Sequence, residues 1–308
     1  MKRVSIVILT YNSQNDIVPC LKSLLADNTP EKEILIIDNA SRDRSVEIVR
    51  RMFPQVRVIE NATNRGVAAG WNQGWRATTG EFVVFINPDT EMAPDWLEQI
   101  KAAFAEYEEA DVIGIKLLYP DGKTIQHGGL YFHPNAQSYH RAAHEEDRGQ
   151  VDTIEPVPAV TGAVLAVRRS ALECFGGFDE DYFPAYFEEA DLCYRVNAAG
   201  RKVLYVPTAV AVHHESATLG TESAAYVRLY FRMRALYILK NYSLGYILKQ
   251  SIPYELRIMR HWPPMHRKYA LLSWISAFPF LVRRIWNKLL RRPGRPYGWR
   301  ARGQHAKE

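Results

Sequence analysis

Short apolar runs alternate with amphipathic stretches over the first hundred residues of the chain. Four of the runs are rich in β-branched residues and too short for helices, so they predict buried strands over residues 4–10, 33–38, 56–60 and 82–87. Between them, apolar residues recur at helical spacing over 14–26, 43–53, 67–78 and 94–108. Strands that alternate with helices in this way predict a doubly wound, mainly parallel sheet of the α/β class.

The pattern changes beyond residue 110. Residues 111–132 and 157–169 predict strands and turns, and a helix is expected to begin near Glu188. Residues 202–216 predict a pair of strands broken at Pro207, because proline cannot donate a ladder hydrogen bond. After this segment the chain becomes helical, aromatic and basic.

The length and composition limit the number and the kind of domains that the chain can form. A chain of 308 residues with 47% hydrophobic and 24% charged residues is globular and long enough for one large domain with an appendage. We expect an α/β domain over 1–218 and a helical, basic extension over 219–308. The three cysteines are too few and too scattered for a disulfide framework or a zinc site, so they indicate a reducing compartment. The first apolar run is too short for a signal peptide and predicts a strand instead.

The net charge of +5 hides an asymmetry between two parts of the chain. Residues 226–308 carry 18 basic and two acidic side chains, a net charge of +16, which leaves −11 for residues 1–225. Such a basic segment indicates an anionic partner, either nucleic acid or a membrane surface. The apolar run 269–282 is short for a bilayer span but suits an interfacial helix, which favours lipid. A packed helical extension or a dimer contact is the alternative.

Polar residues follow the predicted strands at their carboxyl ends, the edge where ligands bind in doubly wound sheets. Asp38 ends the second strand, where a carboxylate can accept hydrogen bonds from a base or a ribose. Asp89 follows the fourth strand and can bind a divalent cation, or it can simply cap the next helix. The glycine-rich residues 64–74 can cradle a phosphate or ribose, although they lack the G-x-G-x-x-G pattern.

Three acidic residues, Glu188, Glu189 and Asp191, lie at the predicted start of a helix. Acidic residues there stabilise the helix dipole, so a purely structural role is one interpretation. The other is that one carboxylate accepts a proton from an attacking hydroxyl. His213 and His214 end a predicted strand, where a neutral imidazole is either a metal ligand or only an exposed side chain.

Seven motifs follow one another along the chain: VSIVILTYNS, IIDNASRD, NRGVAAGWNQG, FINPDTE, TGAVLAVRRS, GGFDEDYFPAYFEEADLCYRVNAAG and VPTAVAVHHES. The same order is found in family 2 glycosyltransferases, and the chain most resembles the bacterial rhamnosyltransferase-like enzymes of that family. The resemblance extends over roughly residues 3–218. It implies a GT-A fold, a nucleotide-sugar donor, a divalent cation (Mg²⁺ or Mn²⁺) and inversion at the anomeric carbon.

The resemblance also implies roles for individual residues. Asn87-Pro88-Asp89 stands where many relatives have Asp-x-Asp, so Asp89 is the charged metal ligand that remains. His213 matches a metal-binding histidine of some relatives better than His214 does, and Glu189 matches the expected base. The positions matched to the donor site are Thr10, Tyr11, Asp38, Asn64, Gly66 and Asn72. Those matched to the acceptor region are Thr161, Gly162, Glu188 and Asp191.

Together these features predict an inverting glycosyltransferase that acts on a hydroxyl of a glycan or lipid-linked saccharide in cell-surface polysaccharide synthesis. dTDP-rhamnose is the first candidate donor and a UDP-sugar is the alternative. A non-catalytic module that binds a nucleotide-sugar or a glycan is the alternative from another class; it would keep Asp38 but need no base at Glu189. We expect a peripheral position on the cytoplasmic face of the membrane, with an anionic membrane surface rather than nucleic acid as the partner.

Overall fold

The computed structural model describes residues 3–27, 29, 32–215 and 223–290, without the side chains of residues 278, 281 and 283–290. Residues 219–222 and 291–308 of the predicted extension therefore lie outside the described residues. All seven motifs lie within the described part except for Ser216, the last residue of the seventh.

The first hundred residues alternate strands and helices as the hydrophobic pattern predicts. The strands are β1 (Val4–Thr10), β2 (Lys32–Asp38), β3 (Arg57–Glu60) and β4 (Phe82–Ile86). The helices are α1 (Ile17–Ala26), α2 (Ser45–Met52), α3 (Val67–Arg76) and α4 (Trp96–Glu106). A short strand that the pattern does not predict, β5 (Thr90–Met92), lies between β4 and α4.

After α4, strands and helices no longer alternate, and several strands follow one another directly. Strands β6 to β12 cover Ala110–Leu118, Ile125–His127, Leu130–Phe132, Ser138–His140, Glu155–Pro156, Val164–Arg168 and Lys202–His213. Helices α5 (Arg169–Phe175) and α6 (Glu188–Ala198) lie between β11 and β12, and α6 begins where the sequence predicts. The C-terminal helices are α7 (Ala224–Asn241), α8 (Leu244–Tyr246), a π-helical turn (Ile247–Ser251), α9 (Ile252–Met259) and α10 (Pro264–Leu290).

The main sheet is mixed and mostly parallel, which confirms the predicted fold class. Its strand order is β10-β12-β6-β11-β4-β1-β2-β3, with β5 paired to β12 and β7 paired to β6. β1 pairs in parallel with β2 and β4, and β12 pairs in parallel with β6. β11 is antiparallel to both β4 and β6, so it joins the two parallel groups.

One part of the strand prediction is wrong. Residues 202–213 form a single strand, β12, rather than two strands broken at Pro207. The pairing of β12 with β6 shifts register between Val206 and Val210, so Pro207 lies in an irregularity where no ladder hydrogen bond is required of it. The strand therefore continues past the proline as far as His213.

Helices cover both faces of the main sheet. One apolar cluster joins Ile6 and Ile8 of β1 to Leu21 of α1 and to Trp96 and Phe104 of α4. The opposite cluster joins the sheet to α3 and α6. Each fully buried side chain of this size contributes roughly 1.5–3 kcal/mol relative to an exposed one, so burial on both faces fixes the sheet whose edge carries the polar residues.

The helix α7 packs directly against the acidic helix α6. Tyr237 and Leu236 of α7 share an apolar cluster with Phe187 and Ala190 at the start of α6. The Tyr194 hydroxyl of α6 donates a 2.6 Å hydrogen bond to the Asn241 carbonyl at the end of α7. The first helix of the predicted extension therefore shares a core with the helix that carries Glu189.

A buried ion pair joins α7 to α9. Arg234, which is 1% exposed, donates to both carboxylate oxygens of Glu255 at 2.6 and 2.7 Å. Asn135 donates to the same carboxylate at 3.2 Å, which links the loop after β8 to both helices.

Within the described chain, no helix is long and apolar enough to cross a bilayer.

Candidate functional site

The ends of β1 and β2 form the first part of the site. Thr10 pairs with Asp38 in the parallel register, and the Thr10 hydroxyl donates to Asp38 Oδ1 at 3.0 Å. The Ser41 amide and hydroxyl donate to the two Asp38 oxygens at 2.9 and 2.5 Å. These bonds hold the Asp38 carboxylate in a fixed orientation at the carboxyl edge of the sheet.

A cleft of about 480 Å³ opens over this edge. Its lining includes three of the predicted donor residues, Tyr11, Asp38 and Asn64, together with the 40–42 and 60–63 segments. Tyr11 is 37% exposed, so its ring is available for contact with a flat ligand such as a nucleobase. The cleft therefore has the position and the polar lining that a nucleoside requires.

The glycine-rich segment 64–74, called the donor loop because the resemblance assigns it to the donor site, is anchored to the segment that precedes Glu188. Gly66 accepts a 3.0 Å hydrogen bond from Asn39 through its carbonyl, and its amide donates to Asn64 Oδ1 at 2.8 Å. The Val67 amide donates to the Pro184 carbonyl at 2.8 Å. Gly66 has a φ of +80° and a ψ of 174°, a conformation restricted almost entirely to glycine. The loop thus connects the cleft beside Asp38 to the segment that leads into Glu188 and Glu189.

Asn72 lies inside the protein, 1% exposed. Its amide nitrogen donates to the Phe178 carbonyl at 2.8 Å and to Glu180 Oε1 at 2.9 Å. Its oxygen accepts from the Phe178 amide at 3.0 Å and from Trp75 Nε1 at 3.1 Å. The Asn72 side chain therefore connects α3 to the 178–180 turn instead of facing the cleft.

Asp89 and His213 come together through a strand pairing. β5 is antiparallel to the end of β12, with Thr90 opposite His213. His213 Nε2 lies 3.2 Å from Asp89 Oδ1, and both side chains are nearly buried, at 12% and 11% exposure. His214 faces the other way and contacts Glu91 Oε1 at 2.8 Å through Nε2. The geometry thus favours His213 over His214 as the partner of Asp89.

The Asp89–His213 pair suits a divalent cation. Two neighbouring ligands of an octahedral ion at about 2.1 Å are about 3.0 Å apart, close to the observed separation of 3.2 Å. The described residues contain no cluster of three or more His, Cys, Asp or Glu side chains arranged to hold a metal. Two protein ligands are sufficient where substrate phosphates complete the coordination, as is common for Mg²⁺.

Glu188 and Glu189 form the acidic part of the site. Glu188 is 4% exposed, and burial, followed by the charge of Glu189, raises its pKa well above the usual value. Glu189 is half-buried, and desolvation raises its pKa to about 7. A carboxylate with a pKa near neutrality is matched to accepting a proton at physiological pH.

Backbone strain precedes these two carboxyl groups. Tyr186 and Phe187 have φ values of +81° and +72°, which cost energy in residues other than glycine. The Phe187 ring is 5% exposed and packs against Tyr230 and Tyr237 of α7. Packing against α7 therefore holds the strained turn that orients the start of α6.

Asp191 is part of the support for α6. Its carboxylate accepts hydrogen bonds from Arg195 Nε at 2.7 Å, Asn241 Nδ2 at 2.9 Å and the Tyr182 hydroxyl at 3.2 Å. The side chain is 2% exposed. Asp191 is thus engaged with protein groups from α6, α7 and the turn before α6.

Thr161 and Gly162 lie on the approach to β11. The Asn87 amide donates to the adjacent Ala163 carbonyl at 2.9 Å, which places this segment beside the residues before Asp89. A side chain at Gly162 would lie 2.7 Å from the Trp71 ring. Glycine is therefore required there by close packing on α3, whereas the Thr161 hydroxyl accepts from the Ala163 amide at 3.3 Å.

Sequence reasoning missed Gln126, which contacts His213 directly. Gln126 Oε1 lies 2.7 Å from His213 Nδ1. A single glutamine in a short buried strand carries no signal of its partner, because the contact depends on how β7 pairs with the end of β6.

The mostly parallel sheet, the nucleoside-sized cleft at its carboxyl edge and the acidic helix α6 define a fold of the GT-A class. The chain belongs to glycosyl transferase family 2, which it matches over residues 5–176.

The chain is similar in sequence to two relatives and in fold to one solved structure. It is 25% identical over 263 residues to an N-acetylglucosaminyl-diphospho-decaprenol L-rhamnosyltransferase of Mycobacterium tuberculosis, covering 77% of this chain and 84% of the relative. It is 30% identical over 246 residues to the uncharacterized protein y4gI of Sinorhizobium fredii, covering 76% of this chain but 27% of that protein. A mannosyltransferase of Pyrobaculum calidifontis, solved with GDP-Man and Mn²⁺, has a similar fold, with a TM-score of 0.57 and 19% identity over 95% of this chain and 81% of that chain.

The donor loop generates a stability prediction. Gly66→Ala should lower the free energy of unfolding by about 1–3 kcal/mol, because the new Cβ would lie 2.8 Å from Phe183 Cδ2 and 2.9 Å from the Pro184 carbonyl. The measurement is urea denaturation followed by circular dichroism. Gly176→Ala is the control, since Gly176 has a similar φ of +76° but no atom within 4 Å of a new Cβ. Equal losses in the two variants would contradict a special requirement for glycine at position 66.

Proposed function

We propose that the chain transfers a sugar, with inversion, from a nucleoside diphosphate donor to a hydroxyl of a glycan or lipid-linked saccharide. The observation that carries the proposal is the contact between Asp89 and His213, 3.2 Å apart at the carboxyl edge of the sheet. A near-buried carboxylate and imidazole side by side suit a cation that neutralises a diphosphate. Membership of glycosyl transferase family 2 supports the same reaction class.

The proposed contacts with the donor follow from which residues line the cleft. Tyr11, Asp38 and Asn64 line the cleft and are assigned to the nucleoside, with Thr10 orienting Asp38 through its 3.0 Å hydrogen bond. Gly66 is assigned to the shape of the loop. We assign Asn72 a positioning role, because its side chain is buried and bonded to the 178–180 turn.

Asp89 and His213 are the residues proposed to hold Mg²⁺ or Mn²⁺. When bound, the cation stabilises negative charge on the leaving nucleoside diphosphate. Asp89 contributes the negative charge that attracts the ion to the edge. His213 contributes a nitrogen ligand that is already held beside Asp89 Oδ1.

Glu189 is the proposed general base. In-line displacement with inversion needs one base on the side of the sugar opposite the leaving group, and no covalent enzyme intermediate. Glu189 would take the proton of the acceptor hydroxyl as the hydroxyl oxygen attacks the anomeric carbon. Burial of Glu188 and the engagement of Asp191 with Arg195 make these neighbours less available for the same role. Thr161 and Gly162 are proposed to border the acceptor.

The relatives support a rhamnosyl donor, with dTDP-rhamnose as the first candidate and a UDP-sugar as the alternative. The M. tuberculosis relative is a rhamnosyltransferase, and an O-antigen biosynthesis protein of Myxococcus xanthus is 28% identical over 223 residues, which cover 69% of this chain and 17% of that protein. A cell-surface polysaccharide acceptor is proposed on the same basis. A binding module without turnover is disfavoured by the membership of the chain in glycosyl transferase family 2.

We further propose that the outer face of α10 contacts an anionic membrane surface at the cytoplasmic side. The inner face of α10 carries the buried Ala270 and Ala277, which cluster with residues of α7. Leu271 and Ile275 lie on the opposite face and are 54% and 70% exposed. Exposed Arg267 and Lys268 adjoin this face, so apolar and basic groups are presented together, as interfacial binding requires.

Loss of the Asp89 charge tests the metal assignment. Asp89→Asn should reduce Mn²⁺-dependent release of nucleoside diphosphate from dTDP-rhamnose or UDP-GlcNAc by about 10²-fold or more, because the amide has no charge to hold the cation. Glu91→Gln is the matched control. Glu91 lies two residues further along the chain, within β5, and its carboxylate pairs with His214. Normal turnover by Asp89→Asn would remove Asp89 from the mechanism.

Glu189→Gln separates binding from chemistry. Donor affinity should stay within a few-fold while transfer falls by roughly 10²–10⁴-fold, since the amide cannot accept a proton. In the parent protein the rate should rise with pH through about 7, the pKa of Glu189, because only the deprotonated carboxylate is a base. Glu188→Gln should remain active. If Glu189→Gln stays active and Glu188→Gln loses activity, the role of general base belongs to Glu188 and not to Glu189.

The α10 face is tested by vesicle co-sedimentation over a salt series. The double variant Leu271→Gln/Ile275→Gln should bind anionic vesicles at least about tenfold more weakly, because it loses two apolar contacts with the lipid interface. Binding by the parent should fall as salt rises, because salt screens the basic residues. Met52→Gln, at an apolar residue that is 44% exposed on α2, is the control. Unchanged binding by the double variant would exclude this face from lipid contact.

A further inference from the structure

A buried glutamine lies behind the Asp89–His213 pair. Gln126 is 8% exposed in the middle of β7, between Ile125 and His127. β7 pairs with the end of β6, where Leu118 also pairs with Val212 of β12. This arrangement brings Gln126 next to the last residue of β12, His213.

The orientation of the Gln126 amide follows from its own hydrogen bonds. Its nitrogen donates to the His213 carbonyl at 3.3 Å and to Glu215 Oε2 at 3.5 Å. Both partners are acceptors, so the NH₂ group must face them. The Gln126 oxygen is left facing His213 Nδ1, at 2.7 Å. An amide oxygen can only accept a hydrogen bond, so Nδ1 carries the proton.

A proton on Nδ1 determines the chemistry of the other ring nitrogen. In the neutral imidazole the lone pair is then on Nε2, which is the atom 3.2 Å from Asp89 Oδ1. At this distance from a carboxylate oxygen, that lone pair is stabilised by a cation between the two atoms, either a proton, which gives an imidazolium–carboxylate pair, or a metal ion that displaces the proton. The hydrogen bond from Gln126 therefore prepares Nε2 as a ligand and directs it toward Asp89.

We propose that Gln126 is a positioning residue that fixes His213 in the Nδ1-protonated tautomer and so prepares it to bind the divalent cation. The inference rests on the proposed role of Asp89 and His213. It adds a residue that contacts neither the donor nor the cation. Partners of this kind orient a ligating histidine, and their loss typically weakens metal affinity by about 10- to 100-fold.

Two substitutions of Gln126 separate the hydrogen bond from packing. Gln126→Met keeps a side chain of similar length but removes the amide oxygen. Gln126→Glu keeps an oxygen toward Nδ1, and in its protonated form the new side chain can still donate to the His213 carbonyl, while the exposed Glu215 can turn away. We expect Mn²⁺ affinity in the presence of UDP or dTDP to fall about 10- to 100-fold in Gln126→Met and to stay within a few-fold in Gln126→Glu.

The measurement is titration of Mn²⁺ with protein and nucleotide, with unbound Mn²⁺ followed by electron paramagnetic resonance. The ¹⁵N shifts of the His213 ring in protein without metal give an independent readout. They should report a proton on Nδ1 in the parent and in Gln126→Glu, and a mixture of tautomers in Gln126→Met. Thermal melting of each variant verifies that the protein is folded.

A double variant connects the effect to His213. If Gln126 acts through His213, Gln126→Met in a His213→Ala background should weaken Mn²⁺ binding no further. Normal Mn²⁺ affinity in Gln126→Met, or equal losses in Gln126→Met and Gln126→Glu, would overturn the inference. Normal affinity in His213→Ala would instead overturn the proposed metal site itself, so the two failures are distinguishable.

Discussion

The pairing of β5 with the end of β12 is the interaction on which the proposed metal site depends. β12 runs parallel to β6 along the sheet, and its register shift near Pro207 lets it continue to His213. There it meets a three-residue strand that begins immediately after Asp89. Without this pairing, a carboxylate and an imidazole from distant parts of the sequence would have no reason to approach each other. The His214 amide, which donates to the Asp89 carbonyl at 2.9 Å, completes the connection.

The acidic helix start carries an energetic cost that the rest of the fold offsets. Burial of Glu188 and partial burial of Glu189 disfavour two negative charges, and the turn before them contains two strained residues. Aromatic packing of Phe187 on α7 and the bonds of Asp191 to Arg195 and Asn241 hold this arrangement in place. Local rules of stability are often violated where function requires it, and a raised carboxylate pKa is what a base needs.

The sequence predicts one half of this structure better than the other for a physical reason. Buried parallel strands are continuous apolar runs, so β1 to β4 and their helices are recognised from local pattern alone. Asp38 and Asp89 could be predicted as candidate site residues because Asp38 ends such a run and Asp89 closely follows another. By contrast, β5 is three residues long and exists only because β12 reaches it.

Side-chain roles were harder to predict than strands, because they depend on contacts between distant segments. Asn72 belongs to a glycine-rich loop motif, yet in the fold its amide bonds the 178–180 turn. Asp191 lies two residues from Glu189 but one helical turn from Arg195, which pairs with it. Gln126 has no local signal at all, since its contact with His213 requires β6, β7 and β12 to be assembled first.

Helix α7 connects the helix that carries the proposed base, α6, to the rest of the basic extension. Lys240 of α7 contacts Asp179 and Asp181 at 2.5 and 2.6 Å, and Asn241 bonds Asp191 of α6. The opposite charges of the two parts of the chain therefore contact each other where α7 packs beside the 179–181 segment. Because α10 packs on α7 and α7 packs on α6, the proposed lipid-facing side of α10 and the proposed base on α6 are held by one set of helix contacts.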